Sequence, residues 1–505
     1  MSMSRCALAV LVAAAACGDA ATSDPGDPDF GPPELTAECH EVDRPSHSFT
    51  AASDFGPVYE GTLASWDASG RWWLTGVSLG RISSVHFTIT GITGITGNQV
   101  MLDHNEDMIG SIDDDALFQR YSIPDGAGGD YVLAQRVSNL RSDGSLRYDR
   151  ARCDSMSCSV CTARLVRATH NGSEAEANNL ALVGELSDPS WQGNISLNVR
   201  VVGTLAYLIR FDGLYIIDTA DPTHPVQLGH YARSGDGYSN DVKIVQAGAK
   251  RFALIADSPI DVVDVTDPAQ PFLAGTIPEG AHTLFTEERN GTVYAYVGGY
   301  DGSCPVYDVT DPAAAVRLGR FETGGSRVHD LSVKDGIAYL NAWEAGFQVV
   351  DFTDPEHPQL TGGWYSPTLT SHSNWTTTVG GRHIALHGDE AYGAHLDVVD
   401  LDPDSATFMQ SIGSYKTRDW VSIHNIMAFG NRAYVSYYQD GVRVFDLSDP
   451  TKPALIGYYN SWDPQSDAVS NDFFEGAVGI DVDFARDLIF VADAPRGLII
   501  LRDET

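Results

Sequence analysis

Four histidines stand at or beside the starts of predicted strands that recur along the chain, with Asp or Asn residues close to them. The candidate ligand residues are Asp241, His282, His329, Asp330, His372, Asn374, His424, Asn425 and Asp481. Imidazole nitrogens suit zinc, copper or iron, whereas carboxylate and amide oxygens suit calcium. If the strands converge, the sequence predicts a metal or polar-ligand site, and the cofactor to expect is one calcium or transition-metal ion.

The same residue types also have a purely structural explanation. Asp and Asn at the start of a strand accept hydrogen bonds from backbone N–H groups and tolerate turns. Nearly every equivalent position in the chain carries Asp or Asn, so the series is consistent with a repeated cap that binds no ligand. Capping does not require imidazole, however, and the histidines keep the ligand-binding interpretation open.

A second group of candidates lies in the loops that would surround such a site. These rim residues are Trp343, Asp389, Tyr437, Tyr438 and Arg496. Exposed aromatic side chains among acidic ones suit the recognition of a protein or a glycan. Ordinary loop composition is the alternative interpretation.

The elements that would position these residues come from an internal repeat. Its copies read GLYIIDTADP at 213–222, PIDVVDVTDP at 259–268, SCPVYDVTDP at 303–312, GFQVVDFTDP at 346–355, HLDVVDLDP at 395–403, GVRVFDLSDP at 441–450 and GLIILRDE at 497–504. The aspartate after the apolar run recurs every 43 to 49 residues in the first six copies. That period is typical of a β-propeller blade of four strands.

Each copy of the repeat has a physical interpretation. The apolar run predicts a buried strand. The D-x-T-D-P segment predicts a turn, because Asp accepts hydrogen bonds from downstream N–H groups and Pro ends the strand. A short x-L-x-G strand follows, as in VQLGHY at 226–231, and two more strands precede the next copy. Innermost strands line the central channel of a propeller, so we expect their starts, and the candidate ligands, to converge at one mouth.

The two ends of the array predict how the sheets close. The last copy ends at its third strand, whereas LALVGELSDP at 180–189 supplies an extra outer strand upstream of the first copy. Pairing of these two strands would remove the exposed edges of an open array. We therefore expect an all-β chain whose residues 180–505 form a seven-bladed β-propeller closed by an N-terminal outer strand, with six or eight blades as alternatives.

Units of the VVDVTDP type resemble the LVIVD repeats of bacterial surface and secreted propeller proteins, a family that includes lipoproteins. The resemblance covers about residues 180–505 and weakens in the last copy, where Arg502 replaces the marker aspartate. It implies a propeller fold and a surface location, and it implies no particular reaction.

Residues 39–165 do not repeat, and their alternation of polar and apolar side chains predicts a small β domain, either a sandwich or a barrel. The domain weakly resembles small lipocalin-like modules, and a linker is expected at 166–179. Four cysteines predict two disulfides in an oxidising compartment, with the pairing open and a zinc site as the alternative. They are Cys39, Cys153, Cys158 and Cys161.

Residues 1–17 predict a secretory leader, because Arg5 precedes a short apolar run that is followed by small residues and Cys17. The leader resembles a bacterial lipoprotein signal in which Cys17 carries the lipid, and plain secretion is the alternative. Residues 18–38 are rich in Gly, Pro and Asp and predict a disordered tether. The expected location is the bacterial cell envelope, at the outer membrane or the cell surface.

The charge of the chain limits its partners. Its 505 residues carry 32 basic and 68 acidic side chains, a net charge of −36, which argues against nucleic acid and against anionic lipid beyond the anchor. We expect a monomer with a protein or glycan partner. Common nucleophile, zinc-protease, phosphate-loop and dinucleotide motifs do not occur in the sequence. The favoured function is a lipid-anchored propeller that binds a protein, glycan or small ligand at its loop-rich channel mouth, without catalysis. The alternative is a lactonase-like, metal-dependent hydrolase with an axial His/Asp/Asn site.

Overall fold

The computed structural model describes most of the chain after residue 38. The described ranges are 39–43, 49–58, 63–67, 70–75, 84–89, 95–98, 108–112, 115–124, 130–172, 174–191, 194–233, 238–366, 368–391, 393–418, 421–464 and 475–505. The predicted leader with Cys17 and the predicted tether at 18–38 lie outside these residues. Within the described ranges the fold is all-β, and no helix has the length and apolar character that a membrane crossing needs.

The amino-terminal part of the described chain is one antiparallel sheet of nine strands. The strands are β1 (His40–Asp43), β2 (Gly70–Thr75), β3 (Ser84–Ile89), β4 (Ile95–Asn98), β5 (Met108–Ile112), β6 (Ala116–Pro124), β7 (Asp130–Ser138), β8 (Leu146–Cys153) and β9 (Ser157–Arg167). Strand β9 pairs with both β8 and β2, which closes β2 to β9 into a barrel. Of the two architectures expected for this region, the sheet therefore forms a barrel.

Two disulfides stabilise this barrel. One joins Cys39 to Cys161 across 122 residues, and the other joins Cys153 to Cys158 across the β8–β9 hairpin. Because all four sulfur atoms are in disulfides, the alternative of a zinc site at these cysteines does not hold. The remaining described cysteine, Cys304, is a buried free thiol.

Seven further antiparallel sheets follow in the described residues, each with four or five strands. Sheet 1 consists of β12 (Ser196–Val202), β13 (Leu205–Arg210), β14 (Gly213–Asp218) and β15 (Val226–Ala232). Sheet 2 consists of β16 (Asp241–Ala247), β17 (Lys250–Ala256), β18 (Ile260–Asp264) and β19 (Phe272–Ile277). Sheet 3 consists of β20 (Ala281–Arg289), β21 (Thr292–Gly299), β22 (Ser303–Asp308) and β23 (Val316–Glu322). In each of these sheets the four strands pair in sequence order.

The other four sheets repeat the same order with two additions from upstream. Sheets 4 and 5 are β24 (Asp330–Lys334), β25 (Ile337–Asn341), β26 (Phe347–Asp351) and β27 (Gln359–Trp364), and β28 (Ser371–Val379), β29 (Arg382–Asp389), β30 (Leu396–Asp400) and β31 (Ser411–Tyr415). Sheet 6 is β32 (Ile426–Phe429), β33 (Arg432–Ser436), β34 (Val442–Asp446) and β35 (Ala454–Tyr459), extended by β10 (Ala177–Asn178). Sheet 7 is β36 (Ala477–Asp483), β37 (Leu488–Asp493) and β38 (Gly497–Asp503), and β11 (Leu180–Leu186) pairs with β38. The segment expected as a linker thus includes the end of β9 and all of β10.

The repeated turn has the hydrogen bonds that its sequence predicts. Asp218 Oδ1 accepts a hydrogen bond from the Ala220 backbone N–H at 2.9 Å, and Asp446 Oδ1 accepts one from Ser448 N–H at 2.9 Å. The second aspartate does the same, since Asp221 Oδ1 accepts from Thr223 N–H at 3.0 Å. These local bonds end the third strand of a sheet and direct the chain into the fourth.

The glycine of the x-L-x-G strand allows neighbouring sheets to approach each other. A Cβ atom added to Gly184 in sheet 7 would lie 2.1 Å from the Pro222 carbonyl oxygen, in the turn of sheet 1. A Cβ on Gly319 in sheet 3 would lie 1.8 Å from the Pro355 carbonyl oxygen, in the turn of sheet 4. Only a residue without a side chain fits these contacts.

The order of the sheets places their first strands side by side. Strands β12, β16, β20, β24, β28, β32 and β36 contact one another in this order, and β36 also contacts β12. Apolar side chains are buried between successive sheets, as where Phe252 of sheet 2 and Leu284 of sheet 3 share one cluster. The starts of the first strands are therefore brought to one place in the structure.

Candidate functional site

A cavity of about 380 Å³ lies where the first strands begin. Every one of the seven sheets contributes to its lining at or next to the start of its first strand. These lining residues include Asn198, Asp241, His282, Thr283, His329, Asp330, His372, His424, Asn425 and Val478. The structure thus brings together most of the candidate ligands that the sequence indicated, and their role in binding stays a prediction.

One wall of the cavity is a continuous row of four histidines. The ring centroids of His282 and His329 are 3.9 Å apart, those of His329 and His372 are 4.1 Å apart, and those of His372 and His424 are 4.4 Å apart. Because each histidine comes from a different sheet, the row exists only when sheets 3 to 6 stand side by side.

Local backbone irregularities aim these histidines into the cavity. The pairing of β20 with β21 skips His282, and the pairing of β28 with β29 skips His372, so both residues sit at β-bulges. His329 and His424 instead precede their strands, and their backbone N–H groups donate to Asn341 and Ser436 carbonyl oxygens at 2.7 and 2.9 Å. Bulges commonly redirect a side chain at a functional site.

Glu390 faces this row of histidines from the loop after β29. Its carboxylate oxygens lie 3.7 Å from His329 Nε2, 3.8 Å from His372 Nε2 and 4.0 Å from His424 Nε2. One ligand atom each from His329, His372 and Glu390 can be chosen so that all three lie within 4.8 Å of one another. This is the group of described residues whose spacing fits a metal ion.

Sequence reasoning missed Glu390 and selected its neighbour Asp389. The residue type at the position after the second strand varies among the sheets, as Asp257, Tyr300 and Ala342 show. No repeated residue type marks it, so the only available signal was a carboxylate in a loop already expected at the mouth.

Two aromatic residues hold the histidine row and Glu390 in place. The Tyr438 hydroxyl donates to Glu390 Oε1 at 2.5 Å, and its ring centroid is 4.7 Å from that of His424. The Trp343 ring stacks on His329 at 4.8 Å with an interplanar angle of 22°. Both were expected at the rim; Trp343 lines the cavity, whereas Tyr438 is fully buried and reaches it only through its contacts with His424 and Glu390.

Trp343 and Tyr438 adopt a backbone conformation that bulky residues rarely take. Their φ angles are +49° and +42°, in the left-handed region that favours glycine. Such a conformation costs about 1–3 kcal/mol and is retained mainly where function or packing requires it. The two residues occupy equivalent turns of sheets 4 and 6, and both use this conformation to place a ring against a histidine.

The histidines are neutral at physiological pH. Burial, together with the neighbouring imidazoles, holds the pKa of His329 and of His372 well below its ordinary value. Burial lowers the pKa of His282 and of His424 to about 4. Neutral imidazole is the form that offers a lone pair to a metal ion or to a hydrogen-bond donor.

Several ring nitrogens in this wall have no protein partner within the described part of the chain. His372 is 2% exposed and neither of its ring nitrogens makes a hydrogen bond, and Nδ1 of His329 likewise makes none. His424 differs, because its Nδ1–H donates to the Val478 carbonyl oxygen at 2.7 Å. These nitrogens are therefore available to a water molecule, an ion or a ligand in the cavity.

The Asp and Asn positions beside the histidines serve a different purpose. Asp241 accepts hydrogen bonds from Asn198 Nδ2 at 2.8 Å and Thr283 Oγ1 at 2.9 Å, and it also pairs with Lys243. Asp481 accepts from the Val201 and Val482 N–H groups at 2.7 and 2.9 Å. Their oxygens therefore connect adjacent sheets, as the capping interpretation expects.

The remaining members of that series are similar. Asp330 accepts from Leu331 N–H at 2.8 Å, and burial together with the charge of Asp241 raises its pKa to about 6. Asn374 donates to the Tyr339 carbonyl oxygen at 2.8 Å. Asn425 lines the cavity. Asp241 and Asp330 thus line the cavity but accept hydrogen bonds from within the fold.

Three of the expected rim residues do not reach the cavity. Tyr437 is fully buried and donates to the Ala394 carbonyl oxygen at 3.2 Å. Asp389 is buried and accepts from Ser366 Oγ at 2.6 Å and from the Thr368 hydroxyl. Arg496 donates to Glu185 Oε2 at 2.5 Å and to the Ser461 carbonyl oxygen at 2.9 Å. Each is occupied by contacts within the fold, which composition alone does not reveal.

A second part of the lining, called here the apolar wall, is formed by apolar and aromatic side chains beside Asn198, Asn240 and Asp241. It consists of Ile195, Leu197, Phe211 and Tyr238 from the start of sheet 1 and the approach to sheet 2. The rings of Phe211 and Tyr238 lie 5.1 Å apart, and both are partly exposed. Arg327 contributes a positive charge at the edge of the cavity, above the Trp343 ring.

Comparison with known proteins agrees with the repeat. Four segments match the LVIVD repeat, at residues 194–233, 236–278, 325–364 and 422–461, which correspond to sheets 1, 2, 4 and 6. The chain is thus consistent with an LVIVD-repeat β-propeller family, as the sequence motifs predicted. No curated protein matches it.

Two solved structures resemble part of the chain. The computationally designed Ika8 protein is 11% identical, with 63% of this chain and 99% of that chain covered and a TM-score of 0.42. The WD40 repeats of RRP9 are 9% identical, with 64% and 97% covered and a TM-score of 0.46.

Proposed function

We propose that the protein is a binding protein that takes a small ligand into the cavity at the starts of the first strands. Propeller repeat folds are typical of binding and scaffolding proteins. The observation that carries the proposal is a cavity of about 380 Å³ with a histidine wall and an apolar wall. Small-molecule sites usually enclose about 300–1,000 Å³ and combine apolar walls with a few polar groups.

The two walls define the chemistry of the ligand. Phe211 and Tyr238 favour a flat apolar or aromatic body, because rings pack well on rings. The Arg327 guanidinium and the imidazole nitrogens favour a polar or anionic head group. The concave site suits a compact molecule or the terminal unit of a glycan better than a broad protein surface.

A closed ring of seven blades would explain why all seven sheets line the cavity. The seven sheets are the blades of one propeller spanning residues 180–505, and β11 closes it by completing the seventh blade. The contact between β36 and β12 and the fit of Gly184 against Pro222 support this arrangement.

The proposed location is the bacterial envelope, with the chain anchored through a lipid on Cys17. The two disulfides of the barrel support an oxidising compartment. Metabolic labelling with palmitate tests the anchor: label incorporated by the wild type and absent from Cys17→Ala supports it, and equal labelling of both contradicts it.

Ligand binding is tested with 8-anilinonaphthalene-1-sulfonate, which has an aromatic body and an anionic head. Its fluorescence should rise saturably on addition of the protein, and the variants Tyr238→Ser and Phe211→Ser should reduce this rise. Tyr365→Ser is the matched control, since Tyr365 is 66% exposed and outside the cavity lining. Equal binding by Tyr238→Ser and Tyr365→Ser would place the probe elsewhere and contradict the proposal.

A metal-dependent hydrolase is the second candidate, favoured by the group formed by His329, His372 and Glu390. Its test is hydrolysis of p-nitrophenyl esters, γ-lactones and bis-p-nitrophenyl phosphate with and without added zinc. A zinc-dependent rate that disappears in Glu390→Gln would favour this candidate over simple binding.

A further inference from the structure

We propose that Nε2 of His329, Nε2 of His372 and the carboxylate of Glu390 bind one first-row transition-metal ion, with an open coordination position toward the cavity. The ion deepens the proposed binding function by giving the ligand's polar head a point of attachment. This inference rests on the proposed binding function, but the two can be tested separately. Metal binding depends on the histidine wall, whereas binding of the fluorescent probe depends on Phe211 and Tyr238 of the apolar wall.

The distances between the three ligand groups are close to those of a metal centre. The carboxylate of Glu390 lies 3.7 Å from His329 Nε2 and 3.8 Å from His372 Nε2. In a tetrahedral zinc site with bonds of about 2.0–2.1 Å, neighbouring ligand atoms are about 3.3–3.4 Å apart. One ligand atom from each of the three groups lies within 4.8 Å of the other two, so side-chain movements of up to about 1.4 Å would bring them to tetrahedral spacing.

These separations are too long for direct hydrogen bonds, so the side chains do not satisfy one another. Hydrogen bonds between nitrogen and oxygen span about 2.7–3.2 Å. Both ring nitrogens of His372 and Nδ1 of His329 are buried without a hydrogen-bond partner in the described chain. An ion between the three groups would engage Nε2 of His372, which is one of these nitrogens and faces Glu390.

The groups around the site behave as supports for metal ligands. The Tyr438 hydroxyl donates to Glu390 Oε1 at 2.5 Å, which orients the carboxylate and leaves Oε2 facing His329. Trp343 stacks on His329 and fixes the plane of its imidazole. Metal-binding carboxylates and histidines usually have such outer partners, which tune affinity and orientation.

The neighbouring His424 completes the polar wall. Since a carbonyl oxygen only accepts, Nδ1 of His424 carries the proton that bonds Val478, and Nε2 retains its lone pair. That nitrogen lies 4.0 Å from Glu390 Oε1. It is placed to accept a hydrogen bond from a water or ligand bound at the open position.

The donor set selects the kind of ion. Two imidazoles and one carboxylate suit zinc, iron(II) or related ions, whereas calcium and magnesium prefer sites made of oxygen atoms. Three protein ligands with one position left open are also the pattern of zinc sites that exchange ligands.

The test is titration of chelator-treated, full-length protein with zinc chloride by isothermal calorimetry. We expect one equivalent to bind to the wild type, and His372→Ala and Glu390→Gln to weaken binding by more than about 100-fold, beyond the effect of losing an outer partner. His357→Ala is the matched control, because its side chain is 74% exposed in a surface turn. Stoichiometric binding retained by His372→Ala, or no binding by the wild type, would overturn the proposal.

A second measurement covers the case in which the buried variants do not fold. Far-ultraviolet circular dichroism reports folding, and the visible spectrum of Co²⁺ added to the wild type reports nitrogen and oxygen ligation of low coordination number without sulfur. An octahedral spectrum like that of aqueous Co²⁺ would overturn the proposal without any variant. If the wild type binds 8-anilinonaphthalene-1-sulfonate but no zinc, the metal site alone is refuted, and if it binds zinc but not this probe, ligand binding alone is refuted.

Discussion

Replacing Gly184 by alanine tests whether β11 is an integral part of the array of sheets. The new Cβ would lie 2.1 Å from the Pro222 carbonyl oxygen and 3.2 Å from Thr223 Cα. Both are backbone atoms of sheet 1, so no side chain can rotate away. Contact distances between such atoms are about 3.5 Å, so sheets 7 and 1 must separate by about 1 Å or more.

The expected cost follows from this forced separation. Inserting one methyl group into a packed interface typically destabilises a protein by about 1–3 kcal/mol. Gly275 occupies the same motif position in sheet 2, but a Cβ there would meet its nearest atom, the Ala313 carbonyl oxygen, at 3.6 Å. Alanine is more favourable than glycine inside a strand by about 0.5–1 kcal/mol, so Gly275→Ala should be stabilising.

The assay is urea unfolding of both variants and the wild type, followed by tryptophan fluorescence. We expect the free energy of unfolding to fall in Gly184→Ala and to rise in Gly275→Ala, although both add one methyl group at equivalent positions. If Gly184→Ala were as stable as the wild type, or if both variants shifted alike, the packing of β11 against sheet 1 would be refuted.

Two further predictions concern the site and its surroundings. Tyr438→Phe removes the hydroxyl that donates to Glu390 and keeps the ring, so zinc affinity measured by competition with a chromophoric chelator should fall about 10- to 100-fold; unchanged affinity would show that Glu390 is not oriented by this bond. Burial raises the pKa of Asp493 to about 6, above the value of about 3.9 in an unfolded chain. The folded protein therefore binds this proton more tightly, and the associated destabilisation is complete above about pH 6 and absent below about pH 4. Between about pH 4 and pH 6 the wild type should therefore lose about 2–3 kcal/mol of unfolding free energy that Asp493→Asn does not lose. Denaturant unfolding at several pH values measures this difference. The same dependence of stability on pH in both proteins would contradict the prediction.

The repeat was predictable because its signals are local. An apolar run, two turn aspartates and a proline determine where a strand ends, and the bond from Ala220 N–H to Asp218 Oδ1 is the expected one. The convergence of the histidines followed from the same periodicity, since equivalent positions of a repeat occupy equivalent places.

Other features depend on contacts between distant segments and were not predictable. Glu390 acquires its role only because the loop after β29 faces His329 and His372, and no repeated residue type marks that loop. The burial of Tyr437 and Asp389 likewise depends on which neighbours fill the space around them. Composition indicated that aromatic and acidic residues occupy the loops, but only packing decides which of them are exposed.

Side chains near the strand starts also differ in what they contact, and these contacts form only in the assembled structure. Asp241 and His282 both stand near a strand start and both line the cavity, yet the first bridges Asn198 and Thr283 while the second packs its ring on that of His329. His282 also sits at a bulge, where one skipped residue turns a side chain to another face. Sequence spacing alone treated both as ligands of one site.

The most direct test of the central claim is an X-ray diffraction experiment at the zinc absorption edge on crystals equilibrated with stoichiometric zinc. We expect one strong anomalous peak between Nε2 of His329, Nε2 of His372 and the Glu390 carboxylate. A map with no peak there, or with zinc only at exposed histidines such as His224 and His357, would contradict it.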